Sequence, residues 1–489
     1  MKINIKLKKY IPYLLLLLPF FFISITIDND FWFTINQGRY ILNNGFTYIE
    51  PFTVHQDFSF SFEKWMTSII FYVIYNRAGE QGIFKMLFIA GAIIELLIYL
   101  NVSYISNNKN LNIIITSLNS IILFKFFLVT RPHIFSLILL LLEFWLMEHY
   151  VRTQKYIYLV PLPCISMLYM QLHSTMWPVF FIVLMPYIFD IPLIAKKLKF
   201  RKARYKKTLI VIATIISFLI GFINPNESIS VFYLFNSTDV NIGLISELEN
   251  LTVIKLFTYC GIILLPHLYY WIKRFIDYKN NSRYPNDFAY KKMLNVLPLR
   301  YFYFLIGTLI MAVFALRNMS YYIVFGGIIT AYMLERVEIE NKNMVRLVVI
   351  CALAILLSIS ALLTPYNSTP EKAAIDEFRL IYNKEENQNI RLFTEFNTGA
   401  YAEWMGFKAY IDPRAEVFTK KINGKEDILK EYSNLRTGHI SYKDIQEKYN
   451  FTHWLLKKGD LINTYLSDDE NYKKIIEKDN FLIYEYLGN

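Results

Sequence analysis

Long uninterrupted apolar runs constrain this 489-residue chain more than any other feature. A helix that crosses about 30 Å of hydrocarbon needs roughly 20 apolar residues. Runs that approach this length cover residues 11–27, 84–105, 111–129, 133–149, 157–172, 175–194, 208–224, 252–272, 297–316, 318–334 and 345–364. Hydrophobic residues make up 55% of the chain, above the roughly 45–50% usual in soluble domains. We therefore predict an all-α polytopic membrane bundle of about 11 membrane-spanning helices.

Basic loops orient this bundle, because positively charged loops stay on the cytoplasmic side. The N-terminal segment, loop 196–207 and loop 273–292 are rich in lysine and arginine, whereas loop 225–251 contains neither. Counting crossings between these loops places the N-terminus inside and the C-terminus outside. The count is consistent only if residues 61–79 do not cross, so we predict an amphipathic helix on the outer interface there. These loops also carry much of the net charge of +11, which therefore gives no indication of nucleic-acid binding.

The composition becomes that of an ordinary soluble domain after Pro365. In residues 370–489, stretches of alternating apolar residues follow helix-like stretches, a pattern typical of an α/β domain. About 120 residues can bury a core of their own. We predict a transmembrane domain over residues 1–364, with a first outer loop over 28–83, and an extracytoplasmic soluble α/β domain over 365–489.

Polar residues that could carry chemistry gather on the predicted outer face. Asp28 and Asp30 open the first outer loop, and two neighbouring carboxylates can differ in pKa and so provide an acid and a base. Taken singly, each such residue could simply mark the end of a helix, since a single His or Arg there is often a capping or snorkelling residue. The other members of the set are Trp32, Arg39, Glu63, Trp65, Arg131, His133, His173, Asn224, Glu247 and Arg317.

Three charged residues interrupt the apolar spans. Each costs at least about 2.5–3.5 kcal/mol at the bilayer centre unless it is paired. They are Glu95, Lys125 and Glu143. Glu95 and Lys125 lie on neighbouring spans, so they can pair with each other, and a structural role of this kind and a functional role both stay open. No chain of acidic residues and no inverted repeat runs through the spans, which disfavours a proton-coupled transporter. The sequence also lacks a P-loop, GxGxxG, HExxH and GxSxG.

Short motifs follow one another in a distinctive order along nearly the whole chain. They are Asp28-x-Asp30-x-Trp32, Gly38-Arg39-Tyr40-Ile41, Asn44-Gly45, Glu50-Pro51-Phe52-Thr53, Glu63-Lys64-Trp65, Arg131-Pro132-His133-Ile134-Phe135, Leu172-His173, Asn224-Pro225, Ile245-Ser246-Glu247, Asn397-Thr398-Gly399-Ala400-Tyr401, Ile411-Asp412-Pro413-Arg414-Ala415-Glu416 and Thr452-His453-Trp454-Leu455-Leu456. This series resembles a large bacterial group of multi-pass GT-C-type glycosyltransferases. Members of that group use polyprenyl-phosphate-linked sugar donors, and most are uncharacterised.

The resemblance implies a GT-C-like bundle with interfacial helices in the first outer loop and a catalytic carboxylate near the end of the first span. Here that carboxylate is Asp28 or Asp30. Two departures stand out. The segment Phe31-Trp32-Phe33 has a single Trp where the group often has paired aromatics, and Phe62-Glu63-Lys64-Trp65 has one residue more than the usual His-Glu-Trp, which leaves the role of Glu63 open.

From these features we predict a cell-membrane glycosyltransferase that transfers a sugar from a polyprenyl-phosphate-linked donor to an extracytoplasmic glycan, lipid or protein acceptor, with inversion. Asp28 or Asp30 would be the base, and Arg131, His133, His173 and Arg317 would bind the donor phosphate. No cofactor is required, although Mg or Mn at the two aspartates is compatible with the sequence. The predicted substrate-binding residues are Trp32, Arg39, Glu63, Trp65, Asn224 and Glu247.

Two alternatives stay open from the sequence. A transporter or assembly subunit for lipid-linked envelope glycans would share the outer polar cluster but would need a water-filled path through the spans. A polymerase or ligase that joins two lipid-linked glycans would be a transferase with a different acceptor. In the C-terminal region, Tyr401, Trp404 and Arg414 could bind acceptor glycan or only pack a core.

Overall fold

The computed structural model describes residues 11–197, 200–202, 204–236, 261, 263–273, 275–276, 297–336, 369–382 and 389–488. The predicted span 345–364 and the candidate residue Glu247 lie outside the described residues, as do residues 252–260 and 262 of span 252–272.

The first part of the chain is helical. A 3₁₀ helix over Ile11–Phe22 occupies most of the first predicted span, and it contains Pro19, a residue that disfavours regular α-helix. The α-helices that follow are α1 (Asn29–Asn44), α2 (Trp65–Ile105), α3 (Lys109–Phe126), α4 (His133–Thr153), α5 (Leu162–His173), α6 (Trp177–Ile188), α7 (Pro192–Lys197), α8 (Lys207–Ile220), α9 (Ser228–Asn236), α10 (Leu299–Phe314) and α11 (Met319–Glu335). Within the described chain, three helical segments are long and apolar enough to cross a membrane: Trp65–Ile105, His133–Thr153 and Tyr156–Ile188. The number of about 11 spans stays a prediction.

Helix α2 is interrupted at Gly79, where φ is 58° and ψ is −153°. Glycine adopts such a positive φ without the steric cost that other residues meet. The interruption separates the predicted interfacial segment 61–79 from the predicted span 84–105. The boundary agrees with the sequence analysis, whereas the position of the first part on a membrane surface stays a prediction.

Hydrogen bonds between helices mark two polar ends of the bundle. At one end, bonds join Ser136 to His173, His133 to Ser320 and Gln171 to Ile223. At the other end, bonds join Tyr150 to Lys206, Glu148 to Arg300 and Arg201 to Tyr332. The basic loop between α7 and α8 belongs to the second end, which the predicted orientation places on the cytoplasmic side. The orientation itself stays a prediction.

The predicted pair between Glu95 and Lys125 does not form. Gly91 of α2 lies against Phe124 and Leu128, so Lys125 lies at the same height along the bundle as Gly91. Glu95 lies one turn further along α2, about 6 Å at the helical rise per residue, and its Oε1 atom is buried without a hydrogen-bond partner among the described residues.

The C-terminal region is α/β, as predicted. Its five strands are β1 (Arg391–Phe393), β2 (Lys408–Ala409), β3 (His453–Lys457), β4 (Tyr472–Lys478) and β5 (Phe481–Tyr486), in the spatial order β2-β1-β3-β5-β4. The β1 strand is parallel to β2 and β3, whereas β5 is antiparallel to β3 and β4. The helices are α12 (Lys372–Ile381), α13 (Gly399–Met405), α14 (Lys420–Asn423), α15 (Ile428–Arg436), α16 (Tyr442–Tyr449) and α17 (Leu461–Ser467).

The first outer loop packs against this sheet. Thr53 forms a parallel bridge with Ala409 at the β2 edge, and the Val54 amide donates to the Ala409 carbonyl oxygen at 2.9 Å. One buried cluster combines Phe52, Val54, Phe58, Phe60 and Phe62 of the loop with Phe393, Tyr410, Phe418 and Trp454 of the C-terminal region. The sheet therefore shares its core with the loop, and the domain boundary at residue 364 stays a prediction.

Candidate functional site

An acidic pair opens helix α1 and is held by one arginine. Arg131 Nε lies 2.7 Å from Asp28 Oδ1 and 3.3 Å from Asp30 Oδ2, and Arg131 Nη2 donates to Asp28 Oδ2 at 3.1 Å. The side chain of Asp28 is only 7% exposed, whereas that of Asp30 is 26% exposed. Asp30 is therefore the carboxylate that a substrate can reach.

Helix capping explains the position of Asp28. It is the N-cap residue of α1 and its side chain accepts the Asp30 backbone N–H at 3.0 Å, which stabilises the start of the helix. The Asp28 backbone N–H donates to Thr130 Oγ1 at 2.8 Å. Because Thr130 immediately precedes Arg131, this bond also fixes the arginine beside the two carboxylates.

Two histidines lie at the same end of the bundle. His133, the first residue of α4, has its Nε2 atom 3.0 Å from Ser320 Oγ, and His173, the last residue of α5, has its Nδ1 atom 2.8 Å from Ser136 Oγ. Arg317 interacts electrostatically with both histidines. The structure thus brings together these three residues, which were expected on one face of the membrane.

Lysine 64 is a cation that the sequence analysis did not include among the site residues. Its ammonium lies 4.6 Å from the Phe33 ring centroid and forms no ion pair or hydrogen bond with the described residues. Burial lowers the pKa of Lys64, and Asp30 and Glu416 oppose this effect. The guanidinium of Arg317 is exposed and likewise has no hydrogen-bonded or ionic partner in the described part of the chain. Both cations are available to an anionic ligand.

Glu63, which immediately precedes Lys64, is buried. Its carboxylate accepts hydrogen bonds from the hydroxyls of Ser61 and Ser174, and its carbonyl oxygen accepts the Ser174 backbone N–H at 3.1 Å. Burial raises the pKa of Glu63 to about 7. These bonds attach the start of α2 to the turn between α5 and α6, so Glu63 positions that turn.

The other predicted substrate-binding residues have structural partners. Trp32 is 1% exposed and its Nε1 donates to Thr369 Oγ1 at 3.0 Å, so a substrate would reach it only if these elements separated. Trp65 Nε1 donates to Gln171 Oε1 at 2.7 Å. The Asn224 side chain bonds within its own turn, to Gly221 and Glu227. Arg39 lines a separate cavity.

The three C-terminal candidates are also engaged. Tyr401 donates to Asp376 Oδ1 at 2.5 Å, and the Trp404 ring lies 4.2 Å below the Arg39 guanidinium. Arg414 is 2% exposed and pairs with three carboxylates, those of Glu50, Glu403 and Asp412. These contacts are those of core packing, one of the two alternatives that the sequence left open, and the guanidinium of Arg414 is fully engaged in them.

The acidic groups do not fit a divalent metal in this arrangement. The Arg131 guanidinium lies between Asp28 and Asp30, so a metal ion that bridged the two carboxylates would have to displace it. The one cluster of three potential ligands among the described residues is Glu50, Glu403 and Asp412, where Arg414 occupies the equivalent position. Metal dependence stays a prediction of the sequence.

The fold is similar to that of archaeal oligosaccharyltransferase from Archaeoglobus fulgidus. Its apo form gives a TM-score of 0.64 at 11% identity, over 94% of this chain and 71% of that chain. The complex with an inhibitory peptide and a dolichol-phosphate gives 0.63 at 11% identity over 94% and 71%, and the form tethered with an acceptor peptide gives 0.62 at 11% identity over 92% and 69%. The sequence matches no protein-family model and no curated protein.

This likeness concerns the fold. It shows that the chain shares the fold of these structures, in a mostly helical molecule with a small C-terminal sheet. Membership of the bacterial group that the motifs resemble stays a prediction.

Proposed function

We propose that this chain is a membrane glycosyltransferase that transfers a sugar from a polyprenyl-phosphate-linked donor to an extracytoplasmic acceptor. The observation that carries the proposal is the arrangement at one end of the GT-C bundle. An acidic pair held by Arg131 lies there together with two cations, Lys64 and Arg317, that form no side-chain hydrogen bond or ion pair with the described residues. A base and a binding site for phosphate are the two parts that this transfer needs.

Asp30 is the base in this proposal. It accepts the proton of the acceptor hydroxyl while a bond forms between the acceptor oxygen and the anomeric carbon of the sugar. The bond from that carbon to the donor phosphate oxygen breaks, and its electron pair leaves with the phosphate. A single displacement of this kind inverts the anomeric centre.

Lys64 and Arg317 stabilise the departing phosphate, since charge-assisted hydrogen bonds are strongest to an anion in a water-poor site. Arg131 is a positioning residue because both of its carboxylate contacts hold the acidic pair. His133 and His173, which were predicted to bind the phosphate as well, donate or accept at serine hydroxyls on one ring nitrogen and retain the other for substrate.

The test compares Asp30→Asn with Asp28→Asn in the full-length protein in vesicles, with a polyprenyl-phosphate-linked sugar as donor. We expect Asp30→Asn to lower transfer by about 100- to 10,000-fold, the usual contribution of a general base, with unchanged donor binding. Asp28→Asn should mainly lower thermal stability through the lost ion pair with Arg131, because asparagine can still cap the start of α1. Full transfer by Asp30→Asn would contradict the assignment of the base.

Within this function, the site belongs to the extracytoplasmic face of a cell membrane, together with the C-terminal region. The competing transporter function needs a path through the spans that opens to both faces. Transport of a lipid-linked glycan by Asp30→Asn vesicles, in the absence of any transfer product, would favour that alternative.

A further inference from the structure

A second polar cavity lies beside α1, further from its start than the acidic pair. Its volume is about 440 Å³, within the roughly 300–1,000 Å³ typical of ligand sites. Helix α1, the first outer loop and the segment after α13 form its walls; the lining includes Asn36, Arg39, Tyr40, Asn43, Phe52 and Lys408. Asn36 follows Asp30 by six residues, about 9 Å at the helical rise per residue, so the cavity borders the candidate active site.

Arg39 brings an uncompensated positive charge to this cavity. Its Nη2 atom donates to Asn36 Oδ1 at 2.5 Å and to the Trp404 carbonyl oxygen at 2.9 Å, but it forms no ion pair with any described residue. Burial lowers the pKa of Arg39, and a second cation, Arg379, acts in the same direction. Because a buried charge without a counter-ion is costly, a bound anion would be stabilised here.

Lys408 adds a second positive charge to the lining. Its ammonium donates to the Pro51 carbonyl oxygen and has no acidic partner in the described part of the chain. Glu403 also lines the cavity, but its carboxylate pairs with Arg414 at 3.2 Å. The carboxylate of Glu403, which lines the cavity together with the two cations, is thus already engaged.

Neutral polar groups complete the lining. The Tyr40 hydroxyl and the Asn43 side-chain amide form no hydrogen bond with the described residues. An amide and a phenol offer both donors and acceptors, which matches the hydroxyl groups of a sugar. The Tyr40 ring, which packs edge-on against Phe52 at 5.5 Å, adds a flat apolar surface.

We propose that this cavity binds an acidic sugar unit of the glycan substrate, with Arg39 and Lys408 at its carboxylate and Tyr40 and Asn43 at its hydroxyl groups. Guanidinium groups recognise carboxylates in two-point fashion, so the cavity selects a charged glycan over a neutral one. The inference rests on the proposed function, because the sugar belongs to the glycan on which the transferase acts. It adds the substrate class, a carboxylate-bearing oligosaccharide.

The test is isothermal titration calorimetry on the purified full-length chain in detergent. The probes are short oligosaccharides of galacturonate or glucuronate, their uncharged methyl esters and inorganic phosphate. We expect a uronate oligosaccharide to bind at least 10-fold more tightly than its methyl ester and than phosphate. Arg39→Gln should weaken uronate binding at least 10-fold, whereas Arg436→Gln at an exposed, distant site should leave it unchanged.

Two milder variants keep the test informative if Arg39→Gln does not fold. Tyr40→Phe removes one hydroxyl and Asn43→Ala changes an exposed side chain, and each should weaken uronate binding by a few-fold. Failure of both uronates to bind, equal binding of the methyl esters, or equal binding of phosphate alone would overturn the proposal. Asp30→Asn should keep uronate binding, so loss of the proposed transferase function and loss of this site are measured separately.

Discussion

At the residue scale, the two aspartates at the start of α1 have different roles although they are two positions apart. Asp28 caps the helix and is 7% exposed, whereas Asp30 is 26% exposed and shares the same arginine. The sequence indicates the pair as a candidate for the base but leaves the choice between the two aspartates open. The choice depends on helix capping and burial, which the spacing of the residues does not encode.

Lys64 illustrates what the sequence could not provide. It lies between Glu63 and Trp65, and a lysine at a helix start near a membrane is usually a topology signal. Only the packed structure reveals that its ammonium is partly buried, faces Asp30 and Glu416, and lacks an acidic partner within hydrogen-bond reach among the described residues. Asp30 belongs to a different helix and Glu416 to the C-terminal region, so no local sequence pattern reports these contacts.

We expect Lys64→Gln to raise the KM for the lipid-linked donor by about 10- to 100-fold. A hydrogen bond to a charged group contributes about 1.5–3 kcal/mol, and each 1.4 kcal/mol corresponds to about tenfold in affinity. Steady-state kinetics with varied donor concentration measure this effect. Lys473→Gln, at an exposed position of β4, is the matched control and should leave the KM unchanged. An unchanged KM for Lys64→Gln would remove Lys64 from the phosphate site.

Glu63 makes stability depend on pH. Because burial raises the pKa of its carboxyl from 4.5 to about 7, the folded chain holds the proton more tightly than the unfolded chain. The stabilising contribution is therefore present below pH 4.5 and is lost as the pH rises through 7. A shift of this size corresponds to about 3 kcal/mol.

Glu63→Gln should therefore gain stability relative to the natural chain as the pH rises from 5 to 8. Thermal unfolding in detergent at the two pH values measures the difference in Tm. Glu377→Gln, which changes an exposed glutamate, should show the same Tm difference at both. If the Glu63→Gln difference is also the same at pH 5 and 8, then Glu63 is not the buried titrating group.

At the element scale, α1 and α2 approach each other at a glycine. A Cβ atom on Gly38 would lie 2.1 Å from the Ser68 carbonyl oxygen and 2.9 Å from Tyr72 Cβ, so no side chain fits unless the helices separate. Gly38 in the motif Gly38-Arg39 thus allows these two helices to pack closely. The motif is visible in the sequence, but this packing role is not, because Ser68 lies on a different helix.

We expect Gly38→Ala to lower the free energy of unfolding by about 1–3 kcal/mol, the usual cost of overpacking, and to displace the acidic pair at the start of α1. Gly307→Ala in α10 is the matched control. Its Cβ would meet nothing within 4 Å, so the same substitution should raise stability by about 0.4–1 kcal/mol. Chemical denaturation of both variants measures the two effects. Equal effects would show that the close approach at Gly38 does not limit packing.

The interruption of α2 at Gly79 is an element boundary that the sequence did predict. The positions of the basic loops required that residues 61–79 do not cross the membrane, unlike the span that follows. The helix is interrupted at Gly79, between these two segments. The Glu95–Lys125 pair was predicted wrongly at the same scale. Its prediction depended on the register between α2 and α3, and the apolar pattern of two neighbouring spans does not determine register.

At the scale of the whole molecule, the C-terminal region is joined to the bundle through a buried ionic cluster. Glu50 belongs to the first outer loop, whereas Glu403, Asp412 and Arg414 belong to the C-terminal region. Burial raises the pKa of Glu50 and Glu403. Burial also disfavours the charged form of Asp412, but Arg414 lowers its pKa. The guanidinium is therefore matched mainly by Asp412, and the other two carboxyls hold protons more readily.

This cluster and the shared aromatic core predict that the loop and the sheet unfold together. Removing one partner of a buried ion pair costs about 3–5 kcal/mol because the remaining charges lose their counter-ion. Arg414→Met should therefore lower the Tm strongly and expose both the first outer loop and the sheet to protease. Arg436→Met is the matched control: its pair with Asp460 spans 3.8 Å with the arginine side chain 49% exposed, so the change should cost at most about 1 kcal/mol.

These variants also test whether the C-terminal region shares its core with the first outer loop or has a core of its own. Glu63 follows Glu50 in the same loop, so Arg414→Met, which loosens the loop, should lower sugar transfer as well as stability. Arg414→Lys should restore only part of the transfer and of the stability, because a single ammonium cannot reach all three carboxylates. Limited proteolysis with mass spectrometry identifies the first sites cut. Cleavage in the loop alone, with the sheet still protected, would mean that the C-terminal region holds its core without the loop.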